Sequence, residues 1–147
     1  MEFIEGNNFE KIRRDIRKAK GKTIIFSSND DELNRKILEK EGIDVLLLKQ
    51  AKRKDFQKQR NSGLNQVLAK VAKKKNITIG VDLDEIILNK DQQKSEILAR
   101  VKQNIKLCNK HKLKMKFISP SNIKRNSHDI KALGLVLGMP TQIVKGL

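Results

Sequence analysis

At 147 residues, with 33 Lys+Arg against 17 Asp+Glu for a net charge of +16, the chain is strongly basic and long enough to bury one proper core. No apolar run approaches 18 residues, so no helical membrane span is expected, and Met1-Glu2-Phe3-Ile4-Glu5-Gly6 has neither the basic nor the apolar region of a secretory leader. A single cysteine, Cys108, excludes an internal disulfide and a cysteine-built zinc site, and a reducing, cytoplasmic setting is the expectation.

Phe9, Ile12, Ile16 and Ala19 follow the cap-like Asn7-Asn8 and are closed by Gly21, which predicts a helix over 8–20. Thr23-Ile24-Ile25-Phe26-Ser27 predicts a buried strand. Asn29-Asp30-Asp31-Glu32 opens a second helix whose core face is Leu33, Ile37 and Leu38 and whose stop is Gly42. The next strand is Asp44-Val45-Leu46-Leu47-Leu48. After a basic loop, Ser62 is expected to cap a helix over 62–75 in which Leu64, Val67, Leu68, Val71 and Ala72 form one apolar stripe. Ile77-Thr78-Ile79-Gly80-Val81 is the third strand. Asp82 and Glu85 have the spacing of a capping box for a short helix through Leu88. Helix 91–111 places Ile97, Leu98, Val101, Ile105 and Cys108 on one face, and Lys114-Met115-Lys116-Phe117-Ile118-Ser119 is the fourth strand. Ser127 is expected to cap a last clear helix, with Ile130, Leu133, Gly134 and Leu137 inward and Gly138 as its stop. Four strands alternating with helices and no hairpin signal predict parallel strands joined by right-handed helical crossovers, an α/β fold in a single domain over 1–147. A closed eight-stranded barrel needs at least about 200 residues, so the chain is too short for one.

The charge is unevenly placed. Residues 1–48 hold ten bases and ten acids, so residues 49–147 carry the whole excess, and no acid lies between Glu96 and Asp129. A neutral first third and a strongly basic remainder point to a polyanion, RNA above all, on one side of the molecule. The chain has no Trp or Tyr, and Phe56 is the one aromatic in the basic loop, so phosphate and shape recognition are expected over base stacking, with Phe56 anchoring its loop.

The ordered set Arg60-Asn61-Ser62-Gly63-Leu64-Asn65, Val67-Leu68-Ala69-Lys70, Ala72-Lys73-Lys74, the strand at 77–81 with Leu83 and Ile86-Ile87, Glu96-Ile97-Leu98-Ala99-Arg100, Ser119, and Asp129-Ile130-Lys131-Ala132-Leu133-Gly134-Leu135-Val136-Leu137-Gly138-Met139 resembles the ribonuclease P protein component 3 family. The resemblance runs over about residues 44–139, two-thirds of the chain. It implies a TIM-like (β/α) barrel related to the polymerase and histidinol phosphatase group, here incomplete, because this chain is shorter at both ends. It also implies an RNA-binding subunit of an endonuclease that removes 5′ leaders from precursor tRNA, with catalysis carried by the RNA. The implied partners are ribonuclease P RNA, precursor tRNA and the Pop-type component 2 subunit. Exposed sheet edges leave room for a second copy.

For RNA contact the candidates are Lys52, Arg53, Lys54, Lys58 and Arg60, which follow a strand at the end where α/β sheets present their sites. Lys124, Arg125 and His128 occupy the analogous loop before the last helix, and Lys102, Lys106 and Lys110 form a ridge at i, i+4 and i+8. No catalytic residue, metal or cofactor is assigned. Asp82, Asp84 and Glu85 could share Mg²⁺ with RNA phosphates, but the cap is the preferred reading. The alternative function is a metal-dependent phosphoesterase, for which two histidines, His111 and His128, are too few ligands for a polynuclear centre. A general ribosome-associated basic protein is the third reading.

Overall fold

A computed structural model describes residues 1–147. Its strands are β1 (Glu2–Glu5), β2 (Ile24–Ser27), β3 (Val45–Leu48), β4 (Thr78–Asp82) and β5 (Met115–Ile118). Its helices are α1 (Phe9–Lys18), α2 (Asp31–Lys40), α3 (Gln66–Lys74), α4 (Leu83–Leu88), α5 (Asp91–His111), α6 (Ser127–Leu137) and α7 (Thr141–Val144). The strands form one parallel sheet in the order β1-β2-β3-β4-β5. Strand order therefore equals sequence order, as in a barrel wound in one direction.

The fifth strand, β1, is the element that the sequence pattern does not reveal. Its four residues Glu-Phe-Ile-Glu present only Ile4 to the core, and the pairing with β2 supplies what local hydrophobicity does not. Local chemistry places the helix ends closely, with two exceptions. The 62–75 helix begins at Gln66, and its cap is Asn65, whose Oδ1 accepts the Leu68 N–H at 2.9 Å. Ser62 is instead fixed upstream by α5, and Gly63 turns the chain at a φ of +78° before Leu64 enters the core. Starting three residues late leaves Val67 55% exposed and gives the buried face to Leu68, Ala69 and Ala72. Likewise Asn126, not Ser127, caps α6 by accepting the His128 N–H at 2.8 Å. The segment 141–147, too short to assign from sequence, contains the one-turn α7.

One large core lies between the sheet and the helices, including Ile4, Phe26, Leu46, Ile79 and Met115 from the strands and Ile12, Ile37, Ala69 and Ile105 from the helices. The other sheet face carries a separate small cluster of Ile25, Val45 and Leu47, with Ile118 against it. Gly80 lies on that face, where an added Cβ would come within 3.0 Å of Val45 and 3.2 Å of Leu47, so a side chain there would crowd the inner layer. Met1 and Phe3 of the first strand region and Phe117, Ile118 and Pro120 at the last line a common trough of about 500 Å³ with Ile25. The sheet is thus rolled toward closure without closing, and β1 and β5 remain free edges. This is the incomplete barrel that the family resemblance implies.

Candidate nucleic-acid interface

The C-terminal ends of the five strands carry Glu5, Ser27, Lys49, Asp82 and Ser119, together with the two longest strand-to-helix loops. The first loop, 49–65, follows β3 and is pinned from α5. Arg100 is 3% exposed and donates from Nε to Asp55 at 2.9 Å, from Nη1 to the Gln50 carbonyl at 2.9 Å and from Nη2 to the Arg53 carbonyl at 2.8 Å. Asn104 Nδ2 and Gln50 Nε2 both donate to the Ser62 carbonyl, at 3.1 and 2.9 Å, and Gln103 Nε2 reaches the Arg60 carbonyl at 2.9 Å. Asp55 also accepts from Arg60 Nη1 and the Asn61 N–H. Its hydrogen bond to Arg100 is the main reason that its carboxyl is held below the ordinary carboxylate range. The loop is therefore a fixed feature, not a mobile strand of cations.

This anchoring sorts the candidates. Arg53 has a 9% exposed side chain, donates to both carboxylate oxygens of Asp31 at 2.8 and 3.0 Å, and bonds the Lys49 carbonyl at 2.6 Å. Its guanidinium is engaged in holding the loop to α2. Lys52, Lys54 and Lys58 are exposed and form no ion pair, while Arg60 is half-exposed beside Asp55. Lys52 sits at a φ of +63° in the turn that leaves β3. Lys124, Arg125 and His128 are exposed around the 119–126 loop, and Lys102, Lys106 and Lys110 are exposed along α5. Of the 23 Lys and Arg after residue 48, four, namely Lys49, Arg53, Arg60 and Arg100, lie within ion-pair distance of an acid, so most of the excess charge is unneutralised.

The charge is not confined to this rim. Lys112 and Lys114 precede β5, and Lys73, Lys74 and Lys75 close α3 ahead of β4, at the opposite end of the sheet. Part of that group is structural: Lys75 Nζ donates to the carbonyls of Leu38, Glu39 and Glu41, which end α2, and Lys73 Nζ bonds the Lys112 carbonyl.

The acids at the rim are each engaged. Asp82 caps α4 by accepting the Glu85 N–H at 3.2 Å, as the spacing suggested, but Glu85 does not complete the box. Its carboxylate turns to the loop after β3 and accepts the Gln50 and Ala51 N–H groups at 2.8 and 3.2 Å. Burial raises the pKa of both Asp82 and Glu85. Asp84 faces the other way and accepts from the Ser119 hydroxyl at 2.7 Å and the Ser121 N–H at 2.9 Å; burial works against its ionisation, but these bonds win and lower its pKa. No three His, Cys, Asp or Glu side chains converge as a metal-binding group. Lys49 reaches across β2 to Glu5 at 2.7 Å; burial opposes its charge, yet Glu5 and the neighbouring acids leave its pKa raised. Cys108 is buried, and burial pushes its thiol up to about 12, in keeping with a core residue.

Sequence reasoning missed Arg100, Asn104, Gln50 and Lys49. A signal for the first two was present: Arg100 and Asn104 lie at helical spacing within the stripe of Ile97, Val101, Ile105 and Cys108. Polar residues inside an apolar stripe must bond to something buried, and here the partner is the loop.

Comparisons with known proteins place this arrangement among relatives. The chain is similar to ribonuclease P protein component 3 of Methanococcus vannielii, 27% identical over 143 residues that make up 96% of this chain and 58% of the relative. It is similar to the protein of the same name from Methanosarcina mazei, 31% identical over 88 residues, 60% of this chain and 34% of that one. Among solved structures it superposes on a chain of an archaeal ribonuclease P with mature tRNA at a TM-score of 0.80 and 21% identity, covering 97% of this chain and 62% of that one. No family model matches. The resemblance to component 3 therefore holds over nearly all of this chain, residues 1–48 included, and the fold is that of a ribonuclease P protein. The chain spans a little under three-fifths of the length of the first of these relatives.

Proposed function

We propose that this chain is an RNA-binding protein subunit of ribonuclease P, supporting the catalytic RNA in removing 5′ leaders from precursor tRNA and carrying no catalytic group of its own. The observation that carries the reading is the conjunction of component 3 likeness over 96% of the chain with exposed cations, Lys52, Lys54, Lys58, Lys124 and Arg125, that form no ion pair at one rim of the sheet. Phosphate contacts of this kind position an RNA without reading its sequence. Arg60, His128 and the α5 ridge of Lys102, Lys106 and Lys110 are the second tier, and Arg53 supports the surface without touching RNA. A cytoplasmic location goes with this reading; no helix is long and apolar enough to cross a membrane.

Protein partners fit the same picture. The free edges of β1 and β5 and the exposed apolar face of α6, Leu135 and Val136, offer docking surfaces for a component 2 (Pop-type) subunit or for a second copy of this chain. The test of the central claim is ultraviolet crosslinking of the full chain to total RNA, followed by sequencing. Enrichment of ribonuclease P RNA and precursor tRNA is the expected result; bulk ribosomal RNA without them would replace the proposal with the ribosome-associated reading. Affinity should fall steeply with salt, log K dropping by roughly 0.7–0.9 per log unit of salt for each phosphate neutralised.

A further inference from the structure

Phe56 does not anchor its loop. It is 59% exposed, the most exposed of the five phenylalanines, whereas Phe26 is fully buried and Phe9 lies beneath Arg13 and Lys40. The anchoring is done by its neighbours. Asp55 is held by Arg100, Arg60 and the Asn61 N–H, and the carbonyls of Arg53 and Arg60 on either side are held by Arg100 and Gln103. An apolar ring held mostly out in water from a backbone fixed on both sides contributes little to the core. None of the hydrogen bonds that pin the loop involves Phe56.

Its surroundings select the chemistry of what it meets. Lys54 and Lys58 flank it, exposed and without ion pairs, and the half-exposed Arg60 closes the bend. Phe56, Gln59, Arg60 and Asn61 share a shallow depression of about 240 Å³ with Glu32 and Arg35 of α2. Lysines concentrated around one aromatic are unlike the core of a protein–protein contact, from which lysine is depleted. They match single-strand recognition, in which a ring stacks on a base face while adjacent cations neutralise the flanking phosphates. The Arg100 clamp fixes the backbone that carries the ring before binding, so only the side chain remains to be ordered when a ligand arrives.

We propose that Phe56 is a stacking platform for one unpaired nucleobase of RNA, with Lys54 and Lys58 neutralising the phosphates on either side. This deepens the reading of the rim as an RNA surface and rests on it. A paired duplex buries its base faces in its own stack, so the site selects a loop, bulge or single-stranded end.

The sequence has no tryptophan, so Phe56→Trp creates a lone reporter at the site. Binding of a 12-nucleotide oligouridine and of a 12-base-pair RNA duplex to the full chain is measured by anisotropy, with Trp fluorescence followed in parallel. The expected result is quenching of Phe56→Trp by the single strand and not by the duplex. Phe56→Ala should lose about 5- to 100-fold in single-strand affinity, with duplex affinity and melting temperature unchanged. Phe56→Leu, which keeps apolar bulk without a π-face, should lose nearly as much. Wild-type chain that binds neither RNA in a salt-dependent way would remove the RNA reading itself. Wild-type binding matched by Phe56→Ala would leave that reading in place and overturn the stacking platform.

Discussion

The two basic loops at the strand ends look alike in composition and are built differently. The loop after β3 holds six cations and one acid between residues 49 and 60, yet Lys49, Arg53 and Arg60 are ion-paired, and Arg100 reaches in from α5 to hold the backbone. The loop after β5 is held chiefly by Asp84, through Ser119 and Ser121, and leaves Lys124 and Arg125 unpaired. One loop presents a few cations from a rigid frame; the other presents all of its cations from a light one. Net charge therefore measures neither how many phosphates a loop can reach nor how well its cations are positioned.

The sharpest way to break that contrast is to remove the frame. Arg100→Ala leaves the Gln50 and Arg53 carbonyls without their donor and takes from Asp55 one of its three, and a cost of about 1–3 kcal/mol for each carbonyl left unpaired is expected in chemical denaturation. Arg100→Lys should recover little of it, because an ammonium cannot span the three acceptors that the planar fork reaches. Protease access should open in 52–61 and not in 119–126. An Arg100→Ala protein as stable as the parent would mean that the frame is incidental.

Next in size are the cations themselves. Replacing Lys52, Lys54 and Lys58 together by alanine should flatten the dependence of log K on log salt by about 0.7–0.9 for each phosphate no longer neutralised, with the melting temperature unmoved. The pair Lys124→Ala and Arg125→Ala should do the same on a smaller scale. Arg53→Ala should show the reverse pattern, a loss of stability with little change in slope, because its guanidinium bonds Asp31. A full slope change from Arg53→Ala with no stability loss would return it to the RNA surface. Smaller again is Asp84→Ala, about 1 kcal/mol for the two bonds to Ser119 and Ser121, with loosening confined to the second loop in hydrogen exchange.

How far the sequence carries depends on the range of the interaction involved. Signals within a turn or two were readable: Asn8 and Asp30 cap their helices, Gly138 ends α6 in the left-handed conformation, and helix 91–111 has the bounds its periodicity gave. β1 was not readable, because a four-residue edge strand is defined by its neighbour. Nor was the choice among the cations. Arg53 differs from Lys52 and Lys54 chiefly through Asp31, which is 22 residues away in sequence, and Arg100 becomes a structural residue only because the loop 45 residues upstream folds onto it. Sequence gives the sign of a surface, and tertiary contacts decide which charges remain on it.

The smallest effect separates the two kinds of acid at the rim. Asp55 has a depressed pKa, so the stability it contributes is complete above the ordinary aspartate value of about 3.9 and is lost as pH falls through its lower folded value. Asp82 and Glu85 have raised values, so their ionisation costs stability, and protonating them as pH falls from neutral toward about 4.3 has the opposite sign. Stability measured against pH should therefore rise gently on mild acidification and then drop below about pH 4. Asp82→Asn should remove part of the rise, and Asp55→Asn should remove part of the drop while lowering the plateau above it. Because Glu85 bonds the N–H groups of Gln50 and Ala51, where the pinned loop begins, and loses its charge at a higher pH than Asp55 does, the amides of 50 and 51 should begin to exchange on mild acidification and those of 53–61 only in the acid-side drop. Simultaneous release of both sets would show that the loop is held at one point, and the distinction between a framed and a lightly held loop would lose its physical basis.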